Sequence, residues 1–211
     1  TIEDSGLVDS QREPGGNITG ARFPAPEITV KRFELLYQMV PTLEHLYVTY
    51  DPTYATAKSV LAALRPAVEA AGVTLIEEQI STAEEIAVNL EAREASGEIG
   101  IDAILIIPET LSQTAVGFGA ISEFAAAHDL PVVGNIMSQV EQGAIFFYAP
   151  AVVDGGKGAA TLADKVLRGT PAGTIPVFTP ESLLTLNYKA AEELGIEVPD
   201  EVLKLAHEII R

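Results

Sequence analysis

Cysteine is absent from the 211 residues, which removes disulfides, thiol nucleophiles and cysteine-based zinc sites from consideration. Basic residues are scarce: 13 lysines and arginines stand against 30 aspartates and glutamates, a formal charge of −17. A surface that negative repels phosphate backbones and anionic headgroups, so neither nucleic acid nor an anionic membrane is expected as a partner. Long hydrophobic runs are missing too. The longest apolar stretches, around residues 101–107 and 144–153, are too short or broken by proline. None approaches the ~20 residues that cross a bilayer. The opening Thr1-Ile2-Glu3-Asp4 has neither a basic n-region nor an apolar core, so no signal segment is expected within this sequence. What is present is the composition of a folded chain, 47% hydrophobic and 20% charged, with room for one good core or two modest lobes.

The familiar marks of catalysis are equally thin. "EPGGNITG", residues 13–20, looks at first like a phosphate-binding loop. Such a loop needs a strand leading in and glycines in the order Gly-x-Gly-x-x-Gly, and Gly15-Gly16-Asn17-Ile18-Thr19-Gly20 has neither. Gly155-Gly156-Lys157-Gly158 fails as well, because a P-loop lysine is followed by Ser or Thr. Gly117-Phe118-Gly119 falls inside a helical pattern, where close packing is the plainer explanation. No Gly-x-Ser-x-Gly elbow occurs, and His45, His128 and His207 lie far apart in different elements. No enzyme activity, cofactor or metal is expected.

The order of elements is more informative. Short β-rich runs at residues 45–50, 74–80, 101–107 and 131–135 alternate with helical patterns at 53–71, 84–97 and 112–128. Ser81-Thr82-Ala83-Glu84 has the form of a capping box opening the second of these helices. This rhythm predicts an α/β fold with a parallel sheet and right-handed crossovers. Before it, Val30, Phe33, Tyr37 and Val40 mark a helix face stopped by Pro41. After it come a fifth strand at 144–148, a helix at 153–167, a short strand at 175–178 and an amphipathic helix at 201–210. Residues 30–148 are expected to form one complete lobe. Residues 1–29 and 149–211 read as a partial second lobe with the crossings between them.

In open parallel sheets, ligands sit beyond the carboxyl ends of the strands. Those ends supply Tyr50, Asp51, Thr53 and Tyr54, then Ser81, then Glu109 and Thr110, then Asn135. Asp51 or Glu109 could hold an ammonium, and Tyr50 or Tyr54 could stack on a flat group. For Ser81 helix capping is the plainer reading. For Tyr50, Asp51 and Glu109, ligand contact and packing both stay open.

With the strands in place, the chain resembles the solute-binding proteins of ABC transporters, in the tryptophan/tyrosine-type family with a type I periplasmic-binding fold. The resemblance rests on "GLVDSQREPGGNITG", "KRFELLYQMVPTLEHLYVTYDP", "DAILIIPET", "LPVVGN", "EQGAIFFYAPAVVDGGKGAATLADKVLRGTPAGTIPV" and "LTLNYKAAEELGIEVPDEVLKLA". It implies a two-lobed, extracytoplasmic receptor that closes on a small solute, often an aromatic or hydrophobic amino acid, and hands it to an ABC permease. It makes the Pro-Gly-Gly-Asn-x-Thr-Gly segment a hinge-region turn, with Gly15 and Gly16 taking unusual backbone angles and Asn17 and Thr19 tying it. It adds Asp4 to the ligand contacts. The chain departs from the family pattern at Glu3-Asp4-Ser5, where Thr-Asp-Pro is usual, at Asp51-Pro52, where Asn-Pro is usual, and at Thr110, where an acid is common. Relatives also carry further strands and helices ahead of the part matching Thr1. The resulting expectation is the solute-binding component of an ABC import system. The alternative is a ligand-sensing or interaction domain of the same fold, as a homo-oligomer that covers the incomplete lobe.

Overall fold

A computed structural model describes residues 6–211, so Asp4 lies outside the described residues. The chain divides into two compact units. The larger joins Pro26–Ala149 to Leu184–Arg211; the smaller joins Pro150–Leu183 to the described residues up to Ala25.

The elements in chain order are α1 (Ala25–Met39), β1 (His45–Tyr50), α2 (Ala55–Ala70), β2 (Thr74–Gln79), α3 (Glu84–Ser96) and β3 (Ala103–Leu105). A 3-10 turn at Leu111–Gln113 leads to α4 (Ala115–Ala127), β4 (Val132–Gly134), α5 (Met137–Glu141), β5 (Phe146–Pro150) and α6 (Val152–Leu167). β6 (Ser182–Asn187), α7 (Tyr188–Glu193), α8 (Asp200–Leu205) and β7 (Ala206–Ile210) complete the chain. One seven-stranded sheet runs in the order β2-β1-β3-β4-β5-β6-β7. β1 pairs in parallel with β2 and with β3, as do β3 with β4, β4 with β5, and β6 with β7. The expected α/β architecture with a largely parallel sheet is the one observed.

Burial follows strand position. The central β3 and β4 are buried on both faces, which is why their sequences are unbroken apolar runs. β2, at the sheet edge, reads Thr-Leu-Ile-Glu-Glu-Gln and stays partly exposed. α2 packs Ala57, Val60, Leu61, Leu64 and Val68 inward, α3 packs Ile86 and Leu90, and α4 packs Phe118, Ile121, Phe124 and Ala125. Each fully buried valine, leucine, isoleucine or phenylalanine among them contributes about 1.5–3 kcal/mol. Gly117 lets α4 sit close to the turn before it, since a Cβ there would collide with the Leu111 carbonyl oxygen.

Several elements differ from their sequence reading. α1 buries Ile28, Arg32, Leu35, Leu36 and Met39, a face rotated from the Val30–Phe33–Tyr37–Val40 line, of which only Phe33 is fully buried. The capping box does not form. α3 starts at Glu84 behind Ala83, and the Ser81 N–H donates to the Glu85 carboxylate at 2.7 Å. The C-terminal helix stops at Leu205, and residues 206–210 become β7, because β6 offers a sheet edge whose backbone groups need partners. Residues 175–178 make only the isolated bridge Ala21↔Phe178. Residues 184–211, read from sequence with the flanks, belong to the larger unit and extend its sheet.

In the smaller unit, α6 lies against Phe178 and Pro180: a Cβ on Gly158 would strike the Phe178 ring, and one on Gly155 would touch Pro180. The Pro-Gly-Gly-Asn-x-Thr-Gly segment turns through Gly15 and Gly16, whose φ angles of 73° and 30° favour glycine. Gly15 N–H donates to the Gly173 carbonyl at 3.1 Å, and Thr19 Oγ1 donates to the Ile175 carbonyl at 2.8 Å. Asn17 is exposed. The segment is thus a turn tied to residues 173–178, with α1 starting only at Ala25.

Candidate functional site

The parallel topology brings the loops after β2, β1, β3 and β4 to one edge of the larger unit's sheet, in that spatial order. Ser81, Tyr50–Tyr54, Glu109–Thr110 and Asn135 are therefore neighbours along a single rim, although they are far apart in sequence.

After β1, Asp51 Oδ1 accepts from Thr53 N and from Thr53 Oγ1, both at 2.7 Å, and the Tyr54 N–H donates to the Asp51 carbonyl at 3.1 Å. This Asx turn presents the half-buried Asp51 carboxylate together with Tyr54, which is 40% exposed at the start of α2. Tyr50 is turned inward, 7% exposed, and its hydroxyl accepts from Gln79 Nε2 at 3.2 Å. Ser81 and Thr110 are exposed.

Glu109 is fully buried, and its carboxylate accepts from Leu111 N at 2.7 Å, from Ser112 N at 2.6 Å and from Ser112 Oγ. Its oxygens cap the 3-10 turn after β3 and leave the side chain committed. Asn135, 7% exposed, is also held on several sides. Its N–H donates to Gln139 Oε1 at 2.7 Å, and its Oδ1 and backbone carbonyl accept from Arg32 Nη1 and Nη2 at 2.5 and 3.3 Å.

Three residues that the sequence reading did not single out turn these groups into one structure. Gln139 accepts from Asn135 and donates from Nε2 to the Ser112 carbonyl at 3.3 Å. Ser112 bonds Glu109. Arg32, fully buried on α1, donates from Nε to the Tyr148 carbonyl at 2.8 Å and lies over the Phe147 ring, 5.7 Å from its centroid. A continuous hydrogen-bonded chain thus runs from Glu109 through Ser112, Gln139, Asn135 and Arg32 to Tyr148, along the carboxyl ends of β3, β4 and β5. Burial pushes the Arg32 guanidinium down from its ordinary value to about 9, because the charged form has lost its water. One sequence signal pointed to Arg32: it interrupts the spacing Ile28–Arg32–Leu35–Met39, where an unpaired charge is costly.

The rim carries acceptors, donors and an exposed aromatic on a rigid buried frame, and no group of three or more His, Asp or Glu among the described residues is placed to hold a metal. A surface groove of about 520 Å³ between α3 and α4, lined by residues such as Leu90, Glu91, Gly119 and Glu123, includes none of the rim residues. Among the described residues no helix is long and apolar enough to cross a membrane.

A largely parallel seven-stranded sheet flanked by helices is the fold of the periplasmic-binding class. Residues 2–210 match the family model of ABC transporter substrate binding proteins, and the chain belongs to that family. A tyrosine-binding protein of Clostridioides difficile is 24% identical over 196 residues. That alignment covers 92% of this chain and 54% of the relative, so the chain spans about half the relative's length. A conserved domain protein of Vibrio cholerae has the same fold, with TM-score 0.81 and 26% identity, over 99% of this chain and 68% of its own. An ABC domain of Streptococcus pneumoniae, solved in complex with L-Trp, superimposes with TM-score 0.81 at 24% identity, over 100% of this chain and 69% of its own.

Proposed function

We propose that this chain is the solute-binding component of an ABC import system and takes a small amino acid ligand, aromatic or otherwise hydrophobic, at the carboxyl-end rim of the larger unit. The carrying observation is the Asp51–Tyr54 turn beside the buried chain from Glu109 to Tyr148: a carboxylate and an exposed ring stand next to a buried, hydrogen-bonded frame. Asp51 receives the ligand's ammonium and Tyr54 stacks on its side chain, with Thr53, Ser81 and Thr110 as hydroxyl contacts. Tyr50 and Glu109 support these loops from inside. Asp4 remains a proposed contact, and Gly15, Gly16, Asn17 and Thr19 a proposed hinge turn. The ligands named for the relatives in Clostridioides difficile and Streptococcus pneumoniae, tyrosine and L-Trp, support an aromatic amino acid. The same reading makes an ABC permease the partner and the outside of the cytoplasmic membrane the location.

A thermal-shift screen with aromatic, branched and charged amino acids, sugars and nucleotides tests this reading. A ligand at 100 times its Kd stabilises by about 2.7 kcal/mol. At about 2–4 °C per kcal/mol that is a shift of roughly 5–10 °C. Such a shift from tyrosine or tryptophan is expected; a cooperative melt moved by no amino acid overturns the proposal.

One observation favours a second reading, a ligand-sensing oligomer of the same fold. α6 exposes Val152, Val153 and Leu167, an apolar surface that a second copy would cover. Light scattering that returns a monomer at all concentrations removes it.

A further inference from the structure

We infer that Asn135, oriented by the buried Arg32, is the specificity-determining subsite for the carboxylate of the ligand, with its Nδ2 amino group as the donor. This rests on the amino acid reading above and goes beyond it by naming the residues that would read the acid group.

The orientation of the Asn135 amide follows from its neighbour. A guanidinium has only donors, so the atom that Nη1 meets at 2.5 Å must be the amide oxygen. Nδ2 therefore points away from Arg32. The Asn135 backbone is also spent: its N–H donates to Gln139 and its carbonyl accepts from Arg32. Among the described residues, Nδ2 has no hydrogen-bond partner. Asn135 is only 7% exposed, yet Nδ2 is not among the unpartnered atoms sealed from solvent, so this donor is on the part of the residue that a ligand can reach. A donor held at the mouth of a buried frame, with its orientation already fixed, can meet a ligand acceptor without reorganising.

The charge behind it selects the kind of acceptor. The three hydrogen bonds of Arg32 end on neutral oxygens, at Tyr148 and Asn135. Its positive charge is thus not cancelled by a bonded carboxylate, in a protein whose formal charge is −17. Arg32 polarises the Asn135 amide, making Nδ2 a stronger donor, and its field crosses a poorly solvated region where charge acts at longer range. An anionic acceptor gains from both effects; a neutral carbonyl gains only from the first. The spacing suits a zwitterion. Asp51 follows β1, two strands from β4 in the order β1-β3-β4. That is roughly 10 Å, a gap spanned by one hydrogen bond on each side of an ammonium–carboxylate head group.

Two measurements test the subsite. The first uses the unaltered protein: titration calorimetry with L-tryptophan and L-tyrosine against their carboxamides, at a pH where all the amines are protonated. The acids are expected to bind at least 10-fold tighter than the amides; equal affinity overturns the inference while leaving the amino acid reading standing. If neither acid nor amide binds, the functional reading itself has failed, and the subsite with it. The second uses Asn135→Asp, which keeps an oxygen on Arg32 and pairs the buried charge but removes the Nδ2 donor. The melting temperature is expected to hold or rise, while affinity for the acids drops at least 30-fold and affinity for the amides changes less than 3-fold. If acids and amides weaken equally, Asn135 shapes the loop and reads no carboxylate.

Discussion

The two units use the same apolar residue types to different ends. In the larger one, valines, isoleucines and leucines meet in layers: β1, β3, β4 and β5 carry Val48, Ile104, Val133 and Phe146 at no more than 1% exposure, with helices over them. In the smaller one, α6 has a comparable supply of apolar side chains, yet only Leu162 is buried. On its inward face Gly155 and Gly158 meet Pro180 and Phe178 and Leu162 is buried, while Val152, Ala159, Ala163 and Val166, on another face, lie in the open. An apolar stripe is therefore a capacity to build a core. It becomes one only where a second layer of the fold is present to receive it.

Four substitutions break or sharpen this contrast. Phe146→Ala empties a site enclosed on every side, and a loss of about 3–5 kcal/mol is expected in urea unfolding. A loss below 1 kcal/mol would mean that the sheet centre is no better packed than α6. Gly158→Ala and Gly156→Ala should move stability in opposite directions. At Gly158 the new methyl meets the Phe178 ring, whose backbone is held by bonds to Gly20 and Arg22, so a loss of about 1 kcal/mol is expected. At Gly156 no heavy atom lies within 4 Å of the added Cβ, and the better helix former should add about 0.5–1 kcal/mol. Losses at both positions would show that the outward stripe is covered in solution. The smallest effect is expected at Val152, 82% exposed: Val152→Ser should change stability by less than about 0.5 kcal/mol, read from the same urea curves.

Much of the fold was legible before any coordinates. Alternating strands and helices between residues 45 and 135 specified the parallel sheet, because a strand buried on both faces must be apolar throughout and a crossover helix must be amphipathic. The quoted motifs carried the family as well. The failures have a common cause. Residues 201–210 have a good helical pattern, but a free edge on β6 competes for the backbone of the last five, and local periodicity does not record a neighbour from elsewhere in the chain. Within the rim, the loops could be placed from strand order, but the direction of each side chain could not. For Glu109 the sequence left ligand contact and packing both open; two backbone amides and the Ser112 hydroxyl draw it inside. Arg32 was passed over because a lysine or arginine on a helix is usually solvated, and its partners, Asn135 and Tyr148, are more than a hundred residues away.

The sequence by itself determined the class of fold, the succession of strands and helices along the chain, the absence of thiol chemistry and the family, since these depend on composition, on period and on motifs read within one segment at a time. Only the tertiary structure decided which rim residues face outward, which are spent on the buried chain from Glu109 to Tyr148, and that a lone guanidinium lies behind Asn135. Those facts depend on hydrogen bonds between segments distant in sequence, and a buried polar group goes wherever a partner is found.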